Sequence, residues 1–206
     1  MSIPRTFVLT IKRRLPEFEA MRKALADRGI AAEPFLGMDS AITRLDHLDT
    51  FDLDAPGGKI GPKGVTLCLH YYQMWKVLSY LEGDRFWVLE DDAEFDKDWR
   101  GRYDSAMAVL PDDWDVVFMG SCCTEGRPCI SVGNNLYESQ WPMCTHAMMY
   151  RKKALPTLLE VHEKIWAPID IAMVTASLPK LRVYTILPRI SYGLSWTKGV
   201  GGGLPV

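Results

Sequence analysis

The chain has 206 residues, 48% of them hydrophobic and 24% charged, which suits one ordinary globular domain. A formal net charge of −2 excludes nonspecific nucleic-acid binding by bulk electrostatics, and no apolar run approaches the length that crosses a bilayer. Cys68, Cys122, Cys123, Cys129 and Cys144 fit no Cys-x-x-Cys zinc pair, so buried reduced thiols in a reducing, cytoplasmic setting are expected.

The N-terminal Met1-Ser2-Ile3-Pro4-Arg5-Thr6 lacks the apolar core of a signal peptide. Thr6–Ile11 is rich in β-formers and reads as the first strand. Lys12-Arg13-Arg14 follows at its C-terminal end and could meet the phosphates or base of a nucleotide, or be a solvated charge run before a helix. From Pro16 to Arg28, Phe18, Met21 and Leu25 recur at helical spacing, with Pro16 in the first turn and Gly29 as C-cap. Ile30–Leu36 is a second strand, giving a strand–helix–strand opening of α/β type. The Gly- and Pro-rich stretch 39–63 predicts a long irregular loop. Its five aspartates (39, 46, 49, 52 and 54) fit no calcium loop and read as solvated acids.

Val65–Leu81 is strongly apolar without internal Gly or Pro and predicts a helix ended near Gly83. His70 lies within it, as a core histidine with one hydrogen bond or as a ligand. Next comes the stretch that concentrates chemistry, Phe86-Trp87-Val88-Leu89-Glu90-Asp91-Asp92. A short apolar run reads as a buried strand, and its acidic end would emerge at the sheet edge where α/β folds hold ligands. Glu90 and Asp92 are two apart, so in extended backbone they face the same side and suit a divalent cation with oxygen ligands. The competing reading is an acidic turn at a helix start.

Trp99, Tyr103, Met107 and Leu110 place a helix over Asp98–Leu110, and Trp114–Ser121 reads as an apolar strand. The segment 122–140 is a loop on the acceptor side or a small hairpin. Thr145–Tyr150 reads as a strand leading into a helix over Lys152–His162. Asp170 follows a turn at the start of a short helix, Ile171–Ala176; Leu181–Leu187 is the last strand. Ser191–Val206, with Gly199, Gly201, Gly202 and Gly203, reads as a flexible tail, the domain being placed at 1–198 and the tail proper at 199–206.

Several of these stretches together resemble glycosyltransferase family 25, the group of lipopolysaccharide and collagen galactosyltransferases. They are Phe7–Arg14, Phe35-Leu36-Gly37-Met38-Asp39, His70–Trp75 (similar to a Ser-His-x-x-x-Trp helix), Val88–Ala93 (similar to Ile-x-Glu-Asp-Asp-x), Trp114–Gly120 and Ala167-Pro168-Ile169-Asp170. Their order spans nearly the whole chain. Leu69 replaces the family's serine before the histidine, and Thr10-Ile11 replaces Asn-Leu before the arginines, so the chain looks like a divergent member.

The resemblance implies a GT-A type fold, a mixed twisted sheet flanked by helices that binds a nucleotide sugar. It implies an inverting hexosyltransferase moving galactose or glucose from a UDP-sugar to a glycan or glycoprotein acceptor hydroxyl. Glu90 and Asp92 would hold Mn2+ or Mg2+, with Asp92 the direct ligand. Thr10, Arg13, Arg14, His70 and Asp91 would contact the nucleotide sugar. Asp170 would be the base that takes the acceptor proton, or else a helix cap. Asp115 stands at the beginning of its strand, on the opposite edge. Two other classes share the acidic strand end: a metal-dependent phosphatase or nuclease, which would need further His or Asp ligands beyond His47, His70, His146 and His162, and a non-catalytic nucleotide- or carbohydrate-binding module.

Overall fold

The computed structural model describes residues 2–45, 60–121, 129–139 and 141–193. A central eight-stranded sheet runs β2-β1-β3-β8-β5-β9-β7-β6. Its strands are β1 (Arg5–Ile11), β2 (Ala32–Gly37), β3 (Arg85–Glu90), β5 (Val116–Phe118), β6 (Cys129–Gly133), β7 (Leu136–Ser139), β8 (Ala147–Arg151) and β9 (Val183–Ile186). A two-stranded sheet pairs β4 (Ala93–Phe95) with β10 (Ser191–Gly193). β2, β1 and β3 are parallel, as are β5 and β9; β8 runs antiparallel between β3 and β5. The sheet is therefore mixed, as expected. Its C-terminal edge gathers the ends of β1, β2, β3 and β5 together with the start of β8.

Alternation along the strands builds a core on each face. Phe7, Leu9, Phe86, Val88, Met148 and Tyr150 belong to one core, which also takes in Trp75 and Leu78 of α2 (Pro62–Tyr80) and Leu155 and Leu158 of α4 (Leu155–Val161). Val8, Trp87, Leu89 and Met149 belong to the other, with Phe18 and Leu25 of α1 (Leu15–Ala26) and Trp99 and Tyr103 of α3 (Trp99–Val109). Each large apolar side chain so buried is worth about 1.5–3 kcal/mol. No described helix is long and apolar enough to cross a membrane.

Most elements fall where the periodicity places them, with bounds shifted by a few residues. Gly29 adopts φ +75°, the left-handed turn that ends α1. Segment 129–139 resolves into the hairpin alternative, turned by Asn134 and Asn135 with φ of 47° and 67°, values that asparagine tolerates best among non-glycine residues. Residues 122–128 of that segment, and 46–59 of the predicted acidic loop, lie outside the described residues.

Three expectations are corrected. Ser191–Gly193, read as tail, is β10, and its register sets Gly193 opposite Ala93. The short helix starts earlier, as α5 (Ile169–Ala172), and continues as a π-helical turn over Met173–Ser177. Cys144 is disulfide-bonded, whereas Cys68 and Cys129 are free.

Candidate active site

β3 delivers Glu90 to the C-terminal edge, and the chain then turns at Asp91-Asp92 before β4 begins. The backbone is not extended across the motif, so the alternation reasoning for Glu90 and Asp92 does not hold. The two carboxylates nevertheless line one cavity of about 190 Å3, while Asp91 lines a separate groove of about 650 Å3 against α1. Asp92 lines both. The β4–β10 pairing fixes the exit from this turn.

Asp91 is held by two residues assigned above to the nucleotide. Thr10 Oγ1 donates to its Oδ2 at 2.8 Å, and Arg14 Nη1 lies 2.9 Å from its Oδ1. Burial raises its pKa, and Thr10 and Arg14 oppose that rise. Arg13 forms a bidentate pair with Asp39, at 2.8 and 3.0 Å. Asp39 is therefore not a solvated acid: it is buried, accepts the Ala41 amide at 2.9 Å, and has a lowered pKa, with the amide the largest cause and Arg13 adding to it. His70 takes its packing reading. It is buried, its Nε2 lies 2.8 Å from the Phe35 carbonyl, and its ring stacks on Phe35. A Cβ on Gly37 would overlap that ring.

Glu90 is anchored from below. Thr145 Oγ1 donates to Oε1 at 2.6 Å, and the single hydroxyl proton of Tyr71, on α2, is shared between Oε1 at 2.9 Å and the Thr145 carbonyl at 2.7 Å. Burial pushes Glu90 up to about 7, aided by the charges of Asp92 and Asp91. Its amide donates to the His146 carbonyl at 2.8 Å, which brings the first residues of β8 to the cavity.

Asp170 lines that same cavity. The cap reading is corrected in detail: Pro168 occupies the N-cap, and Asp170 lies inside the first turn of α5. Its Oδ1 accepts the Ile171 amide at 2.9 Å, and its Oδ2 makes no hydrogen bond to a described residue. Asp115 sits on the far edge as expected, accepting the Arg182 amide at 2.8 Å with Lys153 Nζ at 3.1 Å.

Tyr71, Thr145 and His146 were not read from the sequence as site residues. Their place depends on β8 pairing with β3, a contact between segments far apart in the chain, for which no local pattern exists. No three His, Cys, Asp or Glu among the described residues converge to cage an ion. A smaller donor set still fits Mn2+ or Mg2+, because such ions are commonly held by one or two carboxylates, with substrate phosphates and water completing the shell. Asp92 and the edge of Glu90 offer that chemistry on the cavity wall.

No family model matches the chain, and no curated protein sequence matches it. Solved structures do. A glycosyltransferase involved in glycosylation of the major capsid of PBCV-1 superposes with TM-score 0.50 over 96% of each chain at 11% identity. Mannose-1-phosphate geranyltransferase from Thermus thermophilus gives TM-score 0.47 at 14% identity, over 93% of this chain and 76% of that one. The apo-form glycosyltransferase GlyE of Streptococcus pneumoniae gives 0.42 at 13% identity, over 79% and 39%. The first of these, over the whole chain, identifies the architecture: a glycosyltransferase-like fold of GT-A type.

Proposed function

We propose that the protein is a divalent-cation-dependent, inverting glycosyltransferase, similar to family 25, that moves a galactose or glucose from a UDP-sugar to a hydroxyl of a glycan or glycoprotein. One observation carries the reading. Asp92, at the end of a buried strand, and Asp170, on a helix from the other half of the sheet, face one cavity of about 190 Å3 at the ligand edge of a GT-A type fold.

The acceptor hydroxyl oxygen attacks the anomeric carbon as the bond from that carbon to the diphosphate oxygen breaks. The diphosphate leaves with the bonding electrons, and Asp170 Oδ2 takes the hydroxyl proton. Mn2+ or Mg2+ bound beside Asp92 would stabilise the charge gathering on the diphosphate. Glu90 adds negative charge on the same wall, and the Thr10–Asp91–Arg14 cluster and the Arg13–Asp39 pair support the loop that receives the nucleotide.

UDP with Mn2+ is expected to raise the melting temperature, and Asp92→Ala to abolish that rise with the fold retained. Asp170→Asn is expected to keep nucleotide binding while transfer falls by about 10²–10⁴-fold. No stabilisation of the wild type by millimolar UDP and Mn2+ would sink the donor site; near-normal transfer by Asp170→Asn would remove the base.

A further inference from the structure

β4 is an edge strand, and its free side faces a groove. Among the described strands it pairs with β10 alone, with Phe95 opposite Ser191 and Glu94 opposite Tyr192. The Asp96 amide donates to the Ile190 carbonyl at 3.0 Å. Antiparallel ladders alternate, so Glu94 turns its main-chain groups to β10, while Ala93 and Phe95 turn theirs away. Ser191 shows the same alternation from the β10 side. Its amide donates to the Met119 carbonyl at 3.1 Å, away from β4, and its carbonyl faces His146.

Across from that free edge stands α1, and the groove of about 650 Å3 lies between them. The Phe95 carbonyl accepts Arg28 Nη2 at 3.4 Å, which confirms that it points to the α1 side. The Phe95 amide and both main-chain groups of Ala93 make no hydrogen bond to a described residue. On the helix wall Ala20 and Ala24 are small and exposed, which keeps the edge open. The lining of this wall runs from Glu17 to Arg28, about 17 Å of helix, the length of about five extended residues.

The charge of the groove is also one-sided. Arg14 is paired with Asp91, and Arg28 spends its donors on the Ala24 and Phe95 carbonyls. Glu17 and Glu94 make no hydrogen bond or ion pair with a described residue. A row of main-chain donors and acceptors at strand spacing matches another extended chain, which gains affinity through those bonds when it adds to a sheet edge.

We propose that an extended polypeptide rich in lysine or arginine docks in this groove as an added strand on β4, with Glu17 and Glu94 receiving its cations. Asp92 lines both this groove and the cavity of Asp170, so the docked chain leads to the cavity mouth. The docking stands on the geometry of β4 and α1. That the docked chain carries the acceptor hydroxyl rests on the transferase reading.

The test uses the full chain and a fluorescent peptide of alternating lysine and threonine, followed by anisotropy. Saturable binding is expected, and a peptide of alternating glutamate and threonine should not bind. Glu17→Gln with Glu94→Gln should weaken the lysine peptide roughly 2–30-fold, the worth of two exposed ion pairs. N-methylation of alternate amides tests strand addition itself. Methyl groups in one register should weaken binding about 10–100-fold by removing main-chain hydrogen bonds, and those in the other register should not. Ala24→Trp fills the groove and should abolish peptide binding while the melting shift with UDP and Mn2+ stays. Circular dichroism checks its fold, and if it does not fold, the two methylated peptides still decide. No saturable binding, equal effects of the two registers, or equal binding of the glutamate peptide overturns the proposal. Binding of a neutral oligosaccharide such as maltotetraose, lost in Ala24→Trp with no peptide bound by the wild type, overturns it as well. Peptide docking without any effect of UDP and Mn2+ keeps the strand addition and removes the acceptor role together with the transferase reading.

Discussion

A histidine can be buried simply for packing, and such a group ties stability to pH. His162, at the end of α4, packs its ring at a tilt against Trp75 with centroids 5.0 Å apart and has Nε2 3.2 Å from Ser177 Oγ. Burial alone pushes its pKa down to about 4 from 6.5. The sign follows directly. An unfolded chain takes up this proton as pH falls past 6.5, while the folded chain holds out until about 4. The stability present above 6.5 is thus lost across that window, at about 1.4 kcal/mol per pH unit. His162→Phe keeps a ring against Trp75 and cannot titrate. In urea unfolding, the wild-type stability minus that of the variant should fall by roughly 3 kcal/mol from the top to the bottom of the window. A difference that does not change with pH would mean the ring is not buried neutral. The same residue scale shows what sequence could and could not assign. Asp92 and Asp170 were singled out by strand end and helix start, features local to each segment, and they do share a cavity. Thr10, Arg13, Arg14 and Asp39 make contacts that only folding reveals: Arg13 of the charge run pairs with Asp39 of the acidic stretch, and Arg14 and Thr10 hold Asp91.

At the scale of elements, the acidic turn is held from both sides: β3 leads in from the central sheet, and β4 leaves pinned to β10. β10 escaped detection because it is three residues long and is followed by a glycine-rich end, so periodicity had nothing to count. The hairpin of β6 and β7 was half visible, since Asn134-Asn135 marks a turn, but the alternation in β6 is only two apolar residues long and Ile130 and Val132 are exposed rather than core. The clearest element-level demand falls on Gly120, just past β5. A side chain there would collide with His146 Nε2 and approach the Ser191 backbone oxygen at 2.6 Å, and a backbone atom cannot swing away as a flexible side chain can. Gly120→Ala should therefore cost about 1–3 kcal/mol by overpacking. Gly101 provides the opposite case. It lies exposed within α3 with nothing within 4 Å of a would-be Cβ, so Gly101→Ala should stabilise by roughly 0.5–1 kcal/mol. Paired thermal melts check both signs, and a Gly120→Ala variant as stable as the wild type would mean that the His146 slot yields to the added methyl.

For the whole molecule, the cavity exists because β8 runs backwards between β3 and β5 and so brings its N-terminal end, not its C-terminal end, to the ligand edge. The α/β class and the order of elements could be read from periodicity, but the antiparallel insertion could not, since the direction of a strand leaves no mark in its composition. That insertion places Cys144, Thr145 and His146 on the cavity wall in consecutive positions. Thr145 anchors Glu90, His146 lines the cavity that Asp92 also lines, and Cys144 adopts φ 71°, a left-handed backbone that a non-glycine residue holds only when its surroundings fix it. The disulfide at Cys144 is such a constraint, and it removes the support that a fully reduced cysteine set would lend to a reducing compartment. Protein denatured without reductant and treated with iodoacetamide should therefore take up fewer labels by mass spectrometry than its five cysteines allow. Five labels would mean the bond does not form in solution. Where the bond is present, reduction should lower stability by about 2–4 kcal/mol, as removal of a native cross-link commonly does. Because Cys144 leads directly into Thr145, which holds Glu90, and into His146, which lines the same cavity as Asp92, reduction should also weaken Mn2+-dependent UDP binding. A melting temperature that falls with nucleotide affinity unchanged would show that the segment is held by its sheet pairing alone.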